Sequence, residues 1–350
     1  MSNQPVDMGM GLSFDDVLLV PEKGTALSRD DVDTSVELYL GMKLGIPLIS
    51  ANMDTVTEGK MAEVMEELGG VGIPHRFCLV EEQVEFLKRI TDPRKRIVNI
   101  GSGECEFNRL EKILLDLDGQ VGAVLVDIAH GHSNNVLFQA ERIKEKYPHL
   151  VLIGGNVATR EAAKELVNTG FSVIKVGVGP GAACSTRSMT GCGVPQLSAI
   201  MACREGIDQS SNPEATLIGD GGIKTGGDIV KALAFGADTV MIGSVLSGTD
   251  ETPGRVVEKD FKQYKLYRGM ASRSVIAQRG LKEKVKFVEG VEQWVPLKGT
   301  MAPVINKLID GIKSGMSYLN AGTIRDLRDN VRYYRISANG LRESFPNILL

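Results

Sequence analysis

Cys184 lies within residues 175–196, KVGVGPGAACSTRSMTGCGVPQ, where the residue types suit nucleophilic chemistry. Gly177, Gly179, Pro180 and Gly181 crowd together ahead of it, and Ser185, Thr186 and Arg187 follow directly. Glycine allows positive φ and close approach of a ligand, while proline restricts the geometry of its neighbours. A thiol on such a loop, beside backbone N–H groups and a guanidinium, is placed to react as a thiolate. Taken alone, the same cysteine reads as a small hydrophobe in a loop. The surrounding pattern favours the nucleophile.

Other reactive side chains recur along the chain. They are Asn52 and Asp54, His75 and Arg76, Asp127 and His130, Asn156, Thr186, Asp220, and Gly243 with Ser244. Each has a plain structural reading: Asn156 or Asp220 could cap a helix, and Asp54 could pair with an arginine. The segments DGGIKTGGD and GSVLSG are glycine turns, the second following the last predicted strand. Glycine N–H groups and a helix N-terminus make an anion site, pointing to a phosphorylated ligand, and Asp220 could accept hydrogen bonds from a ribose diol.

The elements that must hold these residues form a steady alternation. Strand-like runs fall at residues 46–51, 70–73, 96–100, 123–127, 150–153, 173–177, 215–218 and 239–242. Amphipathic stretches at 81–90, 108–117, 134–146, 160–168 and 228–233 lie between them, and a further helical face contains Met61, Val64, Met65 and Leu68. Residues 153–177 and 218–243 repeat one strand–turn–helix–strand unit. Eight such strands predict an α/β fold, a (β/α)8 TIM barrel, with the polar residues at the C-terminal strand ends. A doubly wound dinucleotide domain is the rival, but no G-x-G-x-x-G follows any strand. Residues 1–350 are expected to form one domain, with residues 244–298 loop-rich. Within that stretch, residues 271–298 are expected to be a mobile flap that includes the mixed-charge run 279–286. A last helix over 304–312 and a C-terminal tail follow.

Composition bounds the partners. The 350 residues are 43% hydrophobic and 24% charged with net charge −4, which leaves no basic footprint for nucleic acid. Five scattered cysteines fit neither a disulfide scaffold nor a structural metal site and suggest a reducing cytoplasm. The start, MSNQPVDMGMG, lacks the pattern of a secretory leader, and no long apolar run suggests a membrane span.

The segments GVGPGAACSTR, NMDTVTE, DIAHGHSN, GGNVAT, GDGGI with GGD, MIGS, YRGM and EGVEQWVPLKG together resemble the IMP dehydrogenase/GMP reductase family. The likeness runs from Leu12 to Ser344. It implies a barrel that binds a purine 5′-monophosphate and a nicotinamide cofactor, with Cys184 attacking C2 of the purine. Asp220 would hold the ribose, and Gly222, Gly243, Ser244 and Tyr267 the phosphate. Gly269, Met270 and Ala271 would lie along the base. Asn52, Arg76, Asp127 and Asn156 would face the cofactor. Carbonyls of Gly179, Gly181 and Cys184 match a monovalent-cation site, with K+ as the ion, and a homotetramer is implied.

Within the family, the chain resembles GMP reductase more than IMP dehydrogenase. The dehydrogenase hydrolyses its adduct with an Arg-Tyr pair on a long flap, and no tyrosine lies between Tyr267 and Tyr318 here. The regulatory insertion usual in that branch is also missing between residues 73 and 96. A reductase implies NADPH and a proton donor for the departing amino group, roles that match Thr186 and Glu289. Two features depart from this picture: Ala182 replaces the family's phosphate-binding serine, and the tail VRYYRISANGLRES is more like the dehydrogenase. An IMP dehydrogenase without the insertion and a non-catalytic nucleotide-binding barrel are the alternatives.

Overall fold

The computed structural model describes residues 7–24, 28–278, 288–329 and 331–346. The charged run 279–286 lies outside the described residues. Strands β1 (Leu48–Ser50), β2 (Val71–Gly72), β3 (Ile97–Ile100), β4 (Ala123–Asp127), β5 (Val151–Val157), β6 (Val173–Val176), β7 (Thr216–Asp220) and β8 (Thr239–Ile242) form one sheet. Their order is β2-β1-β8-β7-β6-β5-β4-β3, and the paired strands are parallel. Pairing of β1 with β8 joins the first strand to the last and curls the sheet into the expected barrel. Strands covered on both faces need continuous apolar runs, and β3 and β8 are buried at every residue.

The helices α1 (Gly59–Glu67), α2 (Val80–Lys88), α3 (Glu104–Asp116), α4 (Asn134–Lys146), α5 (Arg160–Asn168), α6 (Gln196–Asp208), α7 (Gly226–Ala234) and α8 (Ala302–Tyr318) surround it. Their starts are set by ordinary caps. Thr159 Oγ1 accepts the Ala162 N–H, and Thr225 and Asp228 form a reciprocal capping box. Periodicity marks α6 only weakly. Its buried residues Leu197, Ile200, Cys203 and Ile207 share one face, but that face also takes in the polar Gln196 and Gly206, while Met201 is exposed on the other. Gly206 explains part of this, because a Cβ there would stand 2.2 Å from the Arg160 carbonyl oxygen.

The described residues of 244–298 contain regular elements. Val257–Lys259, Lys262–Arg268 and Glu292–Pro296 make a three-stranded antiparallel sheet, and a short helix, Arg273–Gln278, follows the second of them in the chain. The strand KQYKLYR hides its pattern because its lysine and arginine are partnered inside the protein. Lys265 Nζ donates to the carbonyls of Thr249, Asp250 and Thr252 at 3.0, 3.1 and 2.6 Å. The chain ends also meet, with Val17–Leu19 pairing antiparallel to Tyr333–Arg335.

Helices α7 and α8 cross at two glycines. A Cβ on Gly226 would sit 2.8 Å from Gly311 Cα and 2.9 Å from the Leu308 carbonyl oxygen. Gly226→Val should therefore destabilise the protein by about 1–3 kcal/mol, seen as a lower urea midpoint, whereas Gly24→Ala, with open space around it, should not.

Candidate active site

The C-terminal strand ends carry the polar side chains, and a buried lysine organises them. Lys175, on β6, places Nζ 2.9 Å from Asp127 Oδ1 at the end of β4 and 2.8 Å from Asp220 Oδ2 at the end of β7. Asn52 Nδ2 donates to Asp127 Oδ2 at 2.8 Å. Asn156 Nδ2 donates to Asp220 Oδ2 at 2.9 Å and to the Gly177 carbonyl at 2.8 Å. Neither Asn156 nor Asp220 caps a helix, since Thr159 and Thr225 do that work. Sequence reasoning missed Lys175 as a site residue. The available signal was a lysine inside the apolar run VIKV, a charge that burial forbids without partners.

The electrostatics follow from this sharing. Burial opposes the charge on Lys175, but the two carboxylates outweigh it and hold its pKa above the usual lysine range. Burial likewise opposes ionisation of Asp127. Lys175, Asn52 and the charge of Arg76 overcome that and keep its carboxyl below the ordinary value.

Cys184 is exposed on the loop after β6. Its Sγ donates to Thr186 Oγ1 at 3.2 Å, and Thr186 Oγ1 donates to Glu289 Oε2 at 2.9 Å. Glu289 arrives from far along the chain by strand-like backbone contacts. Ser185 N donates to the Glu289 carbonyl at 3.1 Å, Val291 N to that of Ala183 at 3.0 Å, and Cys184 bridges antiparallel to Gly290. Gly269 permits this approach, because a Cβ there would be 2.6 Å from the Ala183 carbonyl oxygen. Two of the other four thiols are less suited to reaction: burial pushes Cys78 up to about 11 and raises Cys203 as well.

The glycine turn after β7 packs directly against the cysteine loop. A Cβ on Gly221 would meet Pro180 Cγ at 2.9 Å and Gly181 N at 3.0 Å, and Gly222 rests on Phe14 and Pro180. Gly177, at φ +150°, would drive a Cβ to 2.0 Å from the Asp220 carbonyl oxygen. Tyr267 is buried beside the turn after β8, with its hydroxyl 3.4 Å from the position a Cβ of Gly243 would take. Burial, with Asp220 and Cys184 adding, pushes this phenol up to about 12. The Ser244 carbonyl accepts from Ser247 Oγ at 2.6 Å, Met270 Sδ accepts from Asp54 N at 3.3 Å, and the Ala271 carbonyl accepts from Glu289 N at 3.1 Å.

Several candidates serve structure instead. Asp54 pairs with Arg268, which also donates to Ser274 Oγ, so the loop after β1 is tied to the segment that carries Met270. Arg187 runs its stem past Gly179 and Gly193 and donates to the Val194 carbonyl. It braces the loop base. His75 is buried, with Nδ1 accepting the Phe77 N–H at 3.1 Å and Nε2 facing Glu58 at 3.3 Å. That turn presents Arg76, which lies 3.5 Å from Glu106 and stacks 4.6 Å over the Phe77 ring. His130 is exposed and packs edge-on to His132. A separate cleft of about 290 Å³, between Lys60, Arg89 and Pro253, contains none of the site residues.

Among the described residues, the buried polar atoms left without a hydrogen-bond partner include Asn156 Oδ1 and Arg76 Nε. An acceptor and a donor left in this way fit a ligand rich in amide, hydroxyl and phosphate groups, as a nicotinamide dinucleotide is. The neutral carbonyls of Gly179, Gly181 and Cys184 suit a weakly hydrated monovalent cation better than zinc, and the Gly181 carbonyl also accepts Cys184 N at 3.0 Å. Among the described residues, no cluster of His, Cys, Asp or Glu could hold a metal, and no helix is long and apolar enough to cross a membrane.

An exposed thiol on a loop of a (β/α)8 barrel, beside glycine turns, accompanies the fold that defines the class. Residues 11–347 match the IMP dehydrogenase / GMP reductase domain, and the chain belongs to this family of oxidoreductases of purine metabolism. It is 33% identical to inosine-5'-monophosphate dehydrogenase from Nitrosopumilus maritimus (strain SCM1), covering 97% of this chain and 98% of that protein. It is also 33% identical to GMP reductase from Leishmania donovani, covering 95% and 96%. A crystal structure of a GMP reductase variant from Trypanosoma brucei, in complex with guanosine 5'-monophosphate, superposes with a TM-score of 0.89 at 28% identity, covering 98% and 99%. The two sequence alignments extend over 472 and 475 residues, against 350 here. Extra length therefore occurs under both names, and a short chain does not separate the branches.

The low pKa of Asp127 has a measurable consequence. Its stabilising contribution is complete above the unfolded carboxylate value, about 3.9, and is lost as pH falls through the lower folded value. The gap in urea midpoint between the native chain and Asp127→Asn should be widest near neutral pH and close in strong acid. A constant gap would place the effect in packing alone.

Proposed function

We propose that the protein is a GMP reductase, converting GMP to IMP and ammonia with NADPH. The observation that carries the reading is the line from Cys184 Sγ through Thr186 Oγ1 to Glu289 Oε2. Reductive deamination needs a nucleophile at C2 and a proton source for the leaving nitrogen, both supplied by this line. Hydrolysis of the adduct needs a base for water, and the phenol of an Arg-Tyr pair is absent between Tyr267 and Tyr318.

In this reading the Cys184 thiol passes its proton through Thr186 to Glu289 as its sulfur adds to C2 of the guanine. The C2–N bond then breaks, and the nitrogen leaves as ammonia with a proton passed from Glu289 through Thr186. NADPH, when bound, supplies the hydride to C2. The C–S bond then breaks, its electron pair returns to sulfur, and IMP is released.

Asp220 receives the ribose hydroxyls on Oδ1, which has no protein donor among the described residues. Gly222, Gly243, Ser244 and Tyr267 hold the phosphate without help from Ala182, and Gly269, Met270 and Ala271 border the base. Asn52, Arg76, Asp127 and Asn156 hold the cofactor. A monovalent cation on the carbonyls of Gly179, Gly181 and Cys184 would brace the loop.

Oxidation of IMP is the second reading, favoured by the equal identity to the Nitrosopumilus maritimus dehydrogenase.

Nicotinamide absorbance decides between them. GMP with NADPH should turn over and release ammonia, while IMP with NAD+ should not. Cys184→Ala should abolish turnover, and Thr186→Val and Glu289→Gln should each slow it by about 10²–10⁴-fold. Turnover with IMP and NAD+ alone would establish the dehydrogenase.

A further inference from the structure

We propose that Lys175 is a positioning residue that couples the nucleotide site to the cofactor site, by sharing one ammonium between Asp220 and Asp127. The inference rests on the purine-nucleotide reading above and adds to it a link between the two ligands.

The register shows how one side chain reaches both carboxylates. Lys175 pairs with Gly155 on β5, and Gly155 pairs with Asp127 on β4, so the three residues lie in one row across the sheet. A Cβ on Gly155 would stand 2.7 Å from Lys175 Cβ. The missing side chain is what leaves room for the lysine to pass toward Asp127. On the other side, Lys175 shares Oδ2 of Asp220 with Asn156, and no protein donor among the described residues takes Oδ1. Both oxygens of Asp127 are occupied, one by Lys175 and the other by Asn52.

The balance at this point is tight. Lys175 is 3% exposed and faces two carboxylates; Arg76 adds its charge at Asp127, and the Tyr267 phenol feels Asp220. A buried ammonium cannot turn to water when one partner changes, so it moves toward the other. Hydrogen bonds donated to Asp220 by a ribose weaken its hold on Nζ, which strengthens the hold at Asp127. Linkage makes the effect mutual: whatever loads Asp127 alters the affinity at Asp220.

Calorimetric binding of GMP to the full chain, with IMP as a second probe, tests this in the native protein, Asp127→Asn, Lys175→Gln and the double variant. Asp127→Asn should weaken GMP binding by at least about fivefold, although Asp127 is assigned to the cofactor, and should add less than about twofold once Lys175 is Gln. Asn52→Ala frees an oxygen of Asp127 while keeping its charge and the ammonium bridge, so it should leave GMP binding no weaker than in the native chain. That comparison stands even if Lys175→Gln does not fold. Unchanged GMP affinity in Asp127→Asn, equal losses in both backgrounds, or an equal loss in Asn52→Ala would overturn the coupling. A native chain that binds neither GMP nor IMP would overturn the purine reading itself, a result distinguishable from intact binding without coupling.

Discussion

An ammonium buried in the mouth of a barrel can stay charged only where carboxylates meet it, and Lys175 meets two. That requirement sets much of the surrounding geometry. Asp127 and Asp220 end strands on either side of β6; Asn52 takes the other oxygen of Asp127, and Asn156 shares Oδ2 of Asp220 with the lysine. Gly155 and Gly177 keep the space between them clear. With both carboxylates pinned, the strand ends present a fixed polar floor, and the mobile chemistry is left to the loops above it.

The loops solve a different problem. A thiol on a surface loop is reactive but unconstrained, and here it is held by contacts from three directions. The glycine turn after β7 presses on Pro180 and Gly181, Arg187 braces the loop base, and the segment 289–291 pairs with 183–185 along the backbone. The last contact also delivers Glu289 to Thr186. Close backbone approach at Gly269 and Gly290 makes this possible, and bulkier residues would push the carboxylate away from the thiol.

Much of this was legible beforehand where local chemistry decides it. The eight strands, the Cys184 loop, and the pairing of Asp54 with an arginine agree with the structure because apolar runs, glycine turns and unpaired charges are local signals. Helix α6 was not legible, since its buried face includes Gln196 and Gly206 while Met201 lies on the exposed one. The sheet of 257–259, 262–268 and 292–296 was hidden because Lys265 and Arg268 read as surface charge until their partners are known. Arg187 looked like a companion of the thiol, yet its guanidinium goes to the Val194 carbonyl.

By itself, the order of residues determined the barrel, the strand ends that would be polar and the thiol at their centre, because periodicity and turn chemistry act over a few positions. It could name Asn156 and Asp220 only as caps or ligands with equal justice. Tertiary structure decided that they turn inward, that Lys175 is their common partner, and that Glu289 lies one hydroxyl away from Cys184. These contacts join strands and loops far apart in the chain, and their energies depend on burial, which no short stretch of sequence specifies.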